Sequence, residues 1–167
     1  MRQLTLTVGI ALCTVAVLGS ARSASAGKQV PFKGTLDGSF SATPIDPDFP
    51  LIVDVQLDAV GHATHLGDFT FDFPHVVDRS VRPSIGIGSC TFTAANGDQV
   101  FADIEGEATL IQPGVLSVEE QGAITGGTGR FGNATGSFVV ERLIDQATQT
   151  TTGSFKGNIS NGRSRKK

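Results

Sequence analysis

Hydrophobic and polar residues alternate along most of the chain from Val30 onward, and no window longer than a turn carries a helical period. Val30, Phe32, Gly34, Leu36, Gly38, Phe40 and Ala42 share one face of a strand whose other face is Lys33, Thr35, Asp37, Ser39 and Ser41. Beyond a Pro/Asp loop at 44–50, Leu51, Val53, Val55, Leu57 and Ala59 oppose Asp54, Gln56 and Asp58. His65, Gly67, Phe69, Phe71 and Phe73 then oppose Thr64, Asp68, Thr70 and Asp72. Five further runs, at 85–93, 99–111, 116–125, 134–144 and 151–160, bring the strand count to eight. Short links make such a set a meander, whose two edges must be paired or left exposed. Eight is a number at which a small barrel closes around side chains or one small ligand. The pattern therefore predicts an all-β, eight-stranded antiparallel up-and-down barrel with no substantial helix, a two-sheet sandwich being the alternative.

Turn chemistry sets the expected registers. A two-residue Gly61-His62 turn would put acids opposite the apolar face of the second run. A three-residue loop Gly61-His62-Ala63 instead pairs Val55 with Phe69 and Ala59 with His65, which places His65 on the apolar face near one barrel mouth. Around Asn96-Gly97 an odd-length loop turns Cys90 and Phe92 inward with Ala102 and Ile104.

The first residues break the strand pattern. Arg2 precedes a mostly apolar stretch from Leu4 to Leu18, and Ala24-Ser25-Ala26 is a small-x-small cleavage site, so residues 1–26 read as a signal peptide. The apolar run is shorter than the ~20 residues of a membrane span. The residue before Cys13 is Leu12 rather than a small residue, which argues against lipid attachment. The expected mature protein is secreted or extracytoplasmic, without a stable membrane anchor. A single domain spans 27–162, and a basic tail, 163–167, closes the chain. Residues 27–162 hold seven Lys/Arg against sixteen Asp/Glu, a net charge of −9, which disfavours nucleic acid and anionic membranes as partners. Only Cys90 survives maturation, so no intrachain disulfide forms. Trp and Tyr are both absent, which removes the usual stacking platforms for sugars and bases and the tryptophan on which lipocalin and avidin barrels rely.

One segment carries family information. Gly127, Gly129 and Gly132 match G-x-G-x-x-G, but the residues that follow alternate as a strand and no β-α-β unit surrounds them, so a dinucleotide site is excluded. The physical reading is a structural glycine corner at Gly126, Gly127, Gly129 and Gly136, with Phe131 plugging the barrel end. The string Gly126-Gly127-Thr128-Gly129-Arg130-Phe131 through Ala134 and Gly136 resembles the G-G-T-G-x-F-x-x-A-x-G segment of dirigent proteins and, more loosely, the allene oxide cyclase barrels. Strings at 63–67 and 94–98 are similar to those of secreted bacterial barrels. The resemblance implies the eight-stranded barrel and a lumen that guides or cyclises a small hydrophobic molecule. No residue here matches the working acids or arginines of those families.

The search for chemistry yields a short set. His62 and His65 form H-x-x-H, whose members face opposite sides of a strand, so no metal site is expected; no cofactor is implied either. Glu120 and Arg142 fall at apolar-face positions on adjacent strands, either as an ion pair at the rim or as pocket lining. The candidate ligand-binding set is His65, Cys90, Glu120 and Arg142 with Phe69 and Phe71, taking a small apolar ligand in the lumen. The alternative is a non-catalytic exported structural or protein-interaction module with a packed lumen. Inward glycines at 34, 38, 67, 106, 122, 153 and 157 fit both an open cavity and a sheet coiled tightly around phenylalanines. No catalytic residue is assigned, and the pattern leaves the oligomeric state open.

Overall fold

Residues 28–160 are described by a computed structural model; the expected export segment and the basic tail lie outside the described residues. Eight strands follow one another: β1 (Gln29–Pro44), β2 (Ile52–Ala63), β3 (Gly67–Asp78), β4 (Ser84–Ala94), β5 (Gln99–Gln112), β6 (Val115–Gly127), β7 (Gly136–Asp145) and β8 (Thr150–Ser160). A single 3-10 turn, Gly129–Phe131, interrupts the β6–β7 connection. Each strand pairs antiparallel with the next, and β8 pairs with β1 from Gln29↔Ser160 to Ser39↔Thr150, so the barrel closes and leaves no edge strand. The chain has the predicted up-and-down barrel because its alternation never lapses for more than a loop.

The β2–β3 register corrects the expected one. Val55 pairs with His75, Ala59 with Phe71 and Ala63 with Gly67, so the three-residue loop is Thr64-His65-Leu66 rather than Gly61-His62-Ala63. Gly61 belongs inside the strand because the Thr35 carbonyl lies 2.0 Å, and the Phe69 ring 2.6 Å, from where a Cβ would stand. The left-handed backbone that the turn needs is supplied by His65, at φ 67°, and Gly67, at φ 71°. Loop parity is kept, so Val55, Phe69 and the strand residues in step with them stay inward, whereas His65 and Gly67 pass into the turn. Around Asn96-Gly97 the odd loop is present, and Cys90 pairs with Ala102.

An antiparallel meander places alternate loops at opposite ends. One end carries the chain termini of the barrel, the 64–66 and 95–98 loops and the glycine corner. The other carries the 45–51, 79–83, 113–114 and 146–149 loops. The first end is packed shut. Phe32, Phe69, Phe71, Phe92, Phe138 and Phe155 meet in edge-on and tilted pairs at centroid distances from 4.7 to 6.0 Å, each worth ~0.5–1.5 kcal/mol beyond burial. Phe131, fully buried, and Leu66 join this cluster from the loops. Inward glycines make the tight coil possible: a Cβ at 34, 38, 106, 122, 153 or 157 would lie 2.0–2.5 Å from a neighbouring atom. These glycines serve close packing and open no space; Gly67 belongs to the turn.

Candidate functional site

The second end is open. A cavity of about 250 Å³ enters it, walled by Phe40, Val55, Leu57, Leu116, Val118 and Ile144. It also reaches Gly86, the inward glycine whose added Cβ would meet nothing closer than Val77 Cγ2 at 3.5 Å. The lumen is thus neither wholly open nor wholly packed; phenylalanine fills one half and leaves the other.

Three buried polar side chains line the inner part of this cavity, each presented by strand parity among apolar neighbours, while Arg79, Arg82, Ser84, Glu107 and Gln146 line it further out. Glu120 on β6 and Arg142 on β7 are one register step apart, since Val118 is the partner of Arg142 and Val140 that of Glu120. Arg142 grips the carboxylate with two bonds, Nε to Oε2 at 3.0 Å and Nη2 to Oε1 at 2.6 Å. This parallel geometry is the strong form of the contact. Thr151 Oγ1 accepts from Arg142 Nη1 at 3.4 Å and donates to the Leu143 carbonyl at 2.8 Å. With side-chain exposures of 4% and 8%, the pair is lumen lining and not a rim contact.

His75 on β3 is the third. Its ring stacks on Phe73 at 4.1 Å and 9°, and its Nδ1 donates to the Phe73 carbonyl at 2.9 Å. That bond fixes the tautomer and leaves Nε2 as a lone-pair acceptor. Burial holds the imidazole pKa below 6.5; the Arg142 charge pushes the same way, while the Phe73 carbonyl, Glu120 and Asp54 oppose it. At neutral pH the inner end of the cavity therefore carries no net charge: a closed ion pair and a neutral base.

Of the residues singled out from sequence, the cavity brings together Glu120 and Arg142. His65 does not join them: it sits exposed on the β2–β3 turn at the opposite end, because the turn lies three residues later than expected. Cys90, Phe69 and Phe71 face inward but are buried in the packed half, away from the cavity. Burial there raises the Cys90 thiol pKa well above its ordinary value, with Glu120 adding to the effect. His62 faces solvent and its Nδ1 pairs with Asp68 at 2.8 Å, so the H-x-x-H string does not converge. Sequence reasoning missed His75, although Phe69, Phe71 and Phe73 continued by two reach it. It also missed Arg79 and Arg82 at the mouth, which lie in a loop where parity carries no signal. At the glycine corner, Gly129 has φ 53° and Gly126 and Gly136 have φ 157° and 154°, with Phe131 turned into the barrel. A Cβ on Gly127 would meet the Gln99 carbonyl at 2.1 Å.

No family model and no curated protein sequence matches this chain. Among solved structures it is similar to a pterocarpan synthase dirigent protein, with a TM-score of 0.53 over 93% of this chain and 99% of that one. The chain has a dirigent-like barrel fold. At 14% identity the likeness extends to architecture and not to side chains. Among the described residues no helix is long and apolar enough to cross a membrane.

Proposed function

We propose that this dirigent-like barrel is an exported binding protein that holds a small, mostly apolar molecule in the open half of its lumen. The observation that carries the reading is the pairing of an apolar-walled cavity with a neutral, tautomer-fixed His75 and a closed Glu120–Arg142 pair. Apolar walls supply affinity, and a few convergent polar groups fix orientation. A ligand hydroxyl donating to His75 Nε2 would be held in one pose. The same nitrogen can accept a proton, which is the step a cyclase- or isomerase-like role needs. The packed half supplies the rigidity on which such a site depends.

1-Naphthol, which is fluorescent and carries one hydroxyl on an apolar body, tests binding directly. Phe40→Trp adds an emission reporter at the cavity wall in a protein with no tryptophan of its own. Binding by the wild type, weakened in His75→Phe and blocked in Gly86→Leu, supports the reading. Absence of binding, or binding indifferent to Gly86→Leu, favours the non-catalytic structural module. Export is tested by N-terminal sequencing of extracytoplasmic material: a start at Gly27 supports it, and retained Met1 in a membrane fraction opposes it.

A further inference from the structure

The open end holds cations that an apolar ligand does not account for. Residues 28–160 carry four arginines, and three of them, Arg79, Arg82 and Arg142, line this one cavity in a body of net charge −9. Arg142 is neutralised by Glu120. Arg79 and Arg82 are not neutralised: the four ion pairs among the described residues involve neither of them. One further acid, Glu107, lines the cavity, and the acids of the neighbouring loops keep their charge but point their oxygens at their own turns. Asp78 accepts from Ser80, Asp46 from the Asp48 amide, and Asp145 from the amides of Ala147 and Thr148. Arg82 Nη1 donates to the Val81 carbonyl at 2.7 Å, which folds the guanidinium over its own loop. Arg79 is anchored by its amide on the Leu51 carbonyl at 2.8 Å. With Arg142 paired to Glu120, the lining holds two cations, Arg79 and Arg82, against one further acid, Glu107, so the lining of the cavity carries a net positive charge in a body of net charge −9.

We infer that the cavity takes a single-ring carboxylate, its ring between the apolar walls and its carboxylate at Arg79 and Arg82. This rests on the lumen-binding reading above and specifies the ligand. Size sets the ring count: a cavity of about 150 Å³ holds benzene, and this one is about 250 Å³, room for one substituted ring and not for a long chain. Charge sets the polarity: the inner end is neutral, and at the outer end Arg79 and Arg82 outnumber Glu107, so an anionic group is favoured beside the two arginines and not at the inner end. Arginine suits a carboxylate because its planar fork matches the two oxygens.

The test is displacement of 1-naphthol by 4-hydroxyphenylacetate and by its uncharged isostere 4-hydroxyphenylacetamide. The acid is expected to bind about three- to tenfold more tightly at low salt, with the ratio shrinking at high ionic strength. In Arg79→Gln/Arg82→Gln the ratio falls to about one. Arg82 also braces its loop, so Arg79→Gln alone and the salt titration of the wild type give independent readouts. Equal affinities for acid and amide, or a ratio unchanged by the substitutions and by salt, overturn the inference. If 1-naphthol binds and neither ring compound displaces it, this inference alone fails. If 1-naphthol does not bind either, the lumen reading beneath it fails too.

Discussion

Replacing Arg142 by Met leaves a carboxylate in the lumen without its partner, and the cost can be worked from the site. Both members are less than a tenth exposed, and the carboxylate receives two guanidinium bonds. Breaking a buried pair costs about 3–5 kcal/mol, against about 0–1 kcal/mol for an exposed one. The neighbouring cavity lets water approach the orphaned Glu120, so the low end, about 3 kcal/mol, is expected. With a urea slope of about 2 kcal/mol/M this lowers the unfolding midpoint by about 1.5 M at unchanged slope.

The companion variant is Glu120→Leu/Arg142→Met, which removes both charges and fills part of the site with apolar atoms. It should lie within about 1 kcal/mol of the wild type, because the desolvation of both ions disappears together with their attraction. Urea unfolding of the wild type, both single variants and the double variant closes the cycle. A loss below about 1 kcal/mol in Arg142→Met would falsify the claim that the pair is buried in any energetic sense. A double variant that loses the sum of the two singles would show that the groups do not interact.

At the corner, Gly129→Val should cost about 1–3 kcal/mol, since φ is 53° and an added Cβ would fall 1.8 Å from Asp98 Oδ1. Gly132→Ala, with nothing nearer than 3.5 Å, should stay within about 0.5 kcal/mol, and equal midpoints for the two would refute the strain argument. Cys90, buried with its thiol pKa raised, should react slowly with a bulky thiol reagent in native protein and quickly in denaturant; fast native reaction would place it outside the core. Burial lowers the His75 pKa, so the unfolded chain takes up the proton first and the contribution of His75 to stability falls as pH drops below about 6.5. Comparing stability at pH 7.5 and pH 5.5 should show a smaller drop in His75→Phe than in the wild type, and equal drops would remove His75 as a buried neutral group.

The strand count and the inward set outside the β2–β3 turn were legible because they depend on parity, which an error in loop position does not hide, and closure followed from eight strands joined by short links. His65 shows the limit. Gly61 reads as a turn residue by composition, yet its missing side chain is used by Thr35 and Phe69 on neighbouring strands, contacts that exist only after both strands have paired. Moving the turn by three residues preserved the face of Val55 and Phe69 but displaced His65 from the lumen to the outside of the opposite end. Glu120 and Arg142 were found by parity alone, whereas His75 was lost by stopping the same alternation two residues early.

What parity does not encode is position along the barrel axis, and that coordinate separates a packed lumen from an open one. Because successive strands run in opposite directions, a residue early in β3 and one late in β4 lie at the same end. Phe69 and Phe71 therefore meet Phe92, and Phe71 and Phe92 are direct partners. The large rings of Phe32, Phe138 and Phe155 gather at that level by the same rule, while Val55, Gly86, Ala108 and Val118 fall at the other. The open half is thus written as a gradient of side-chain volume along each strand, legible only once all eight registers are aligned. Gly86 is the sharpest mark of it: the glycines at 106 and 122 are held by contacts their Cβ would violate, and at 86 the same absence leaves empty space. Filling that position with Leu should close the cavity while leaving the phenylalanine cluster intact, which separates the part of the lumen that folds the barrel from the part available to a ligand.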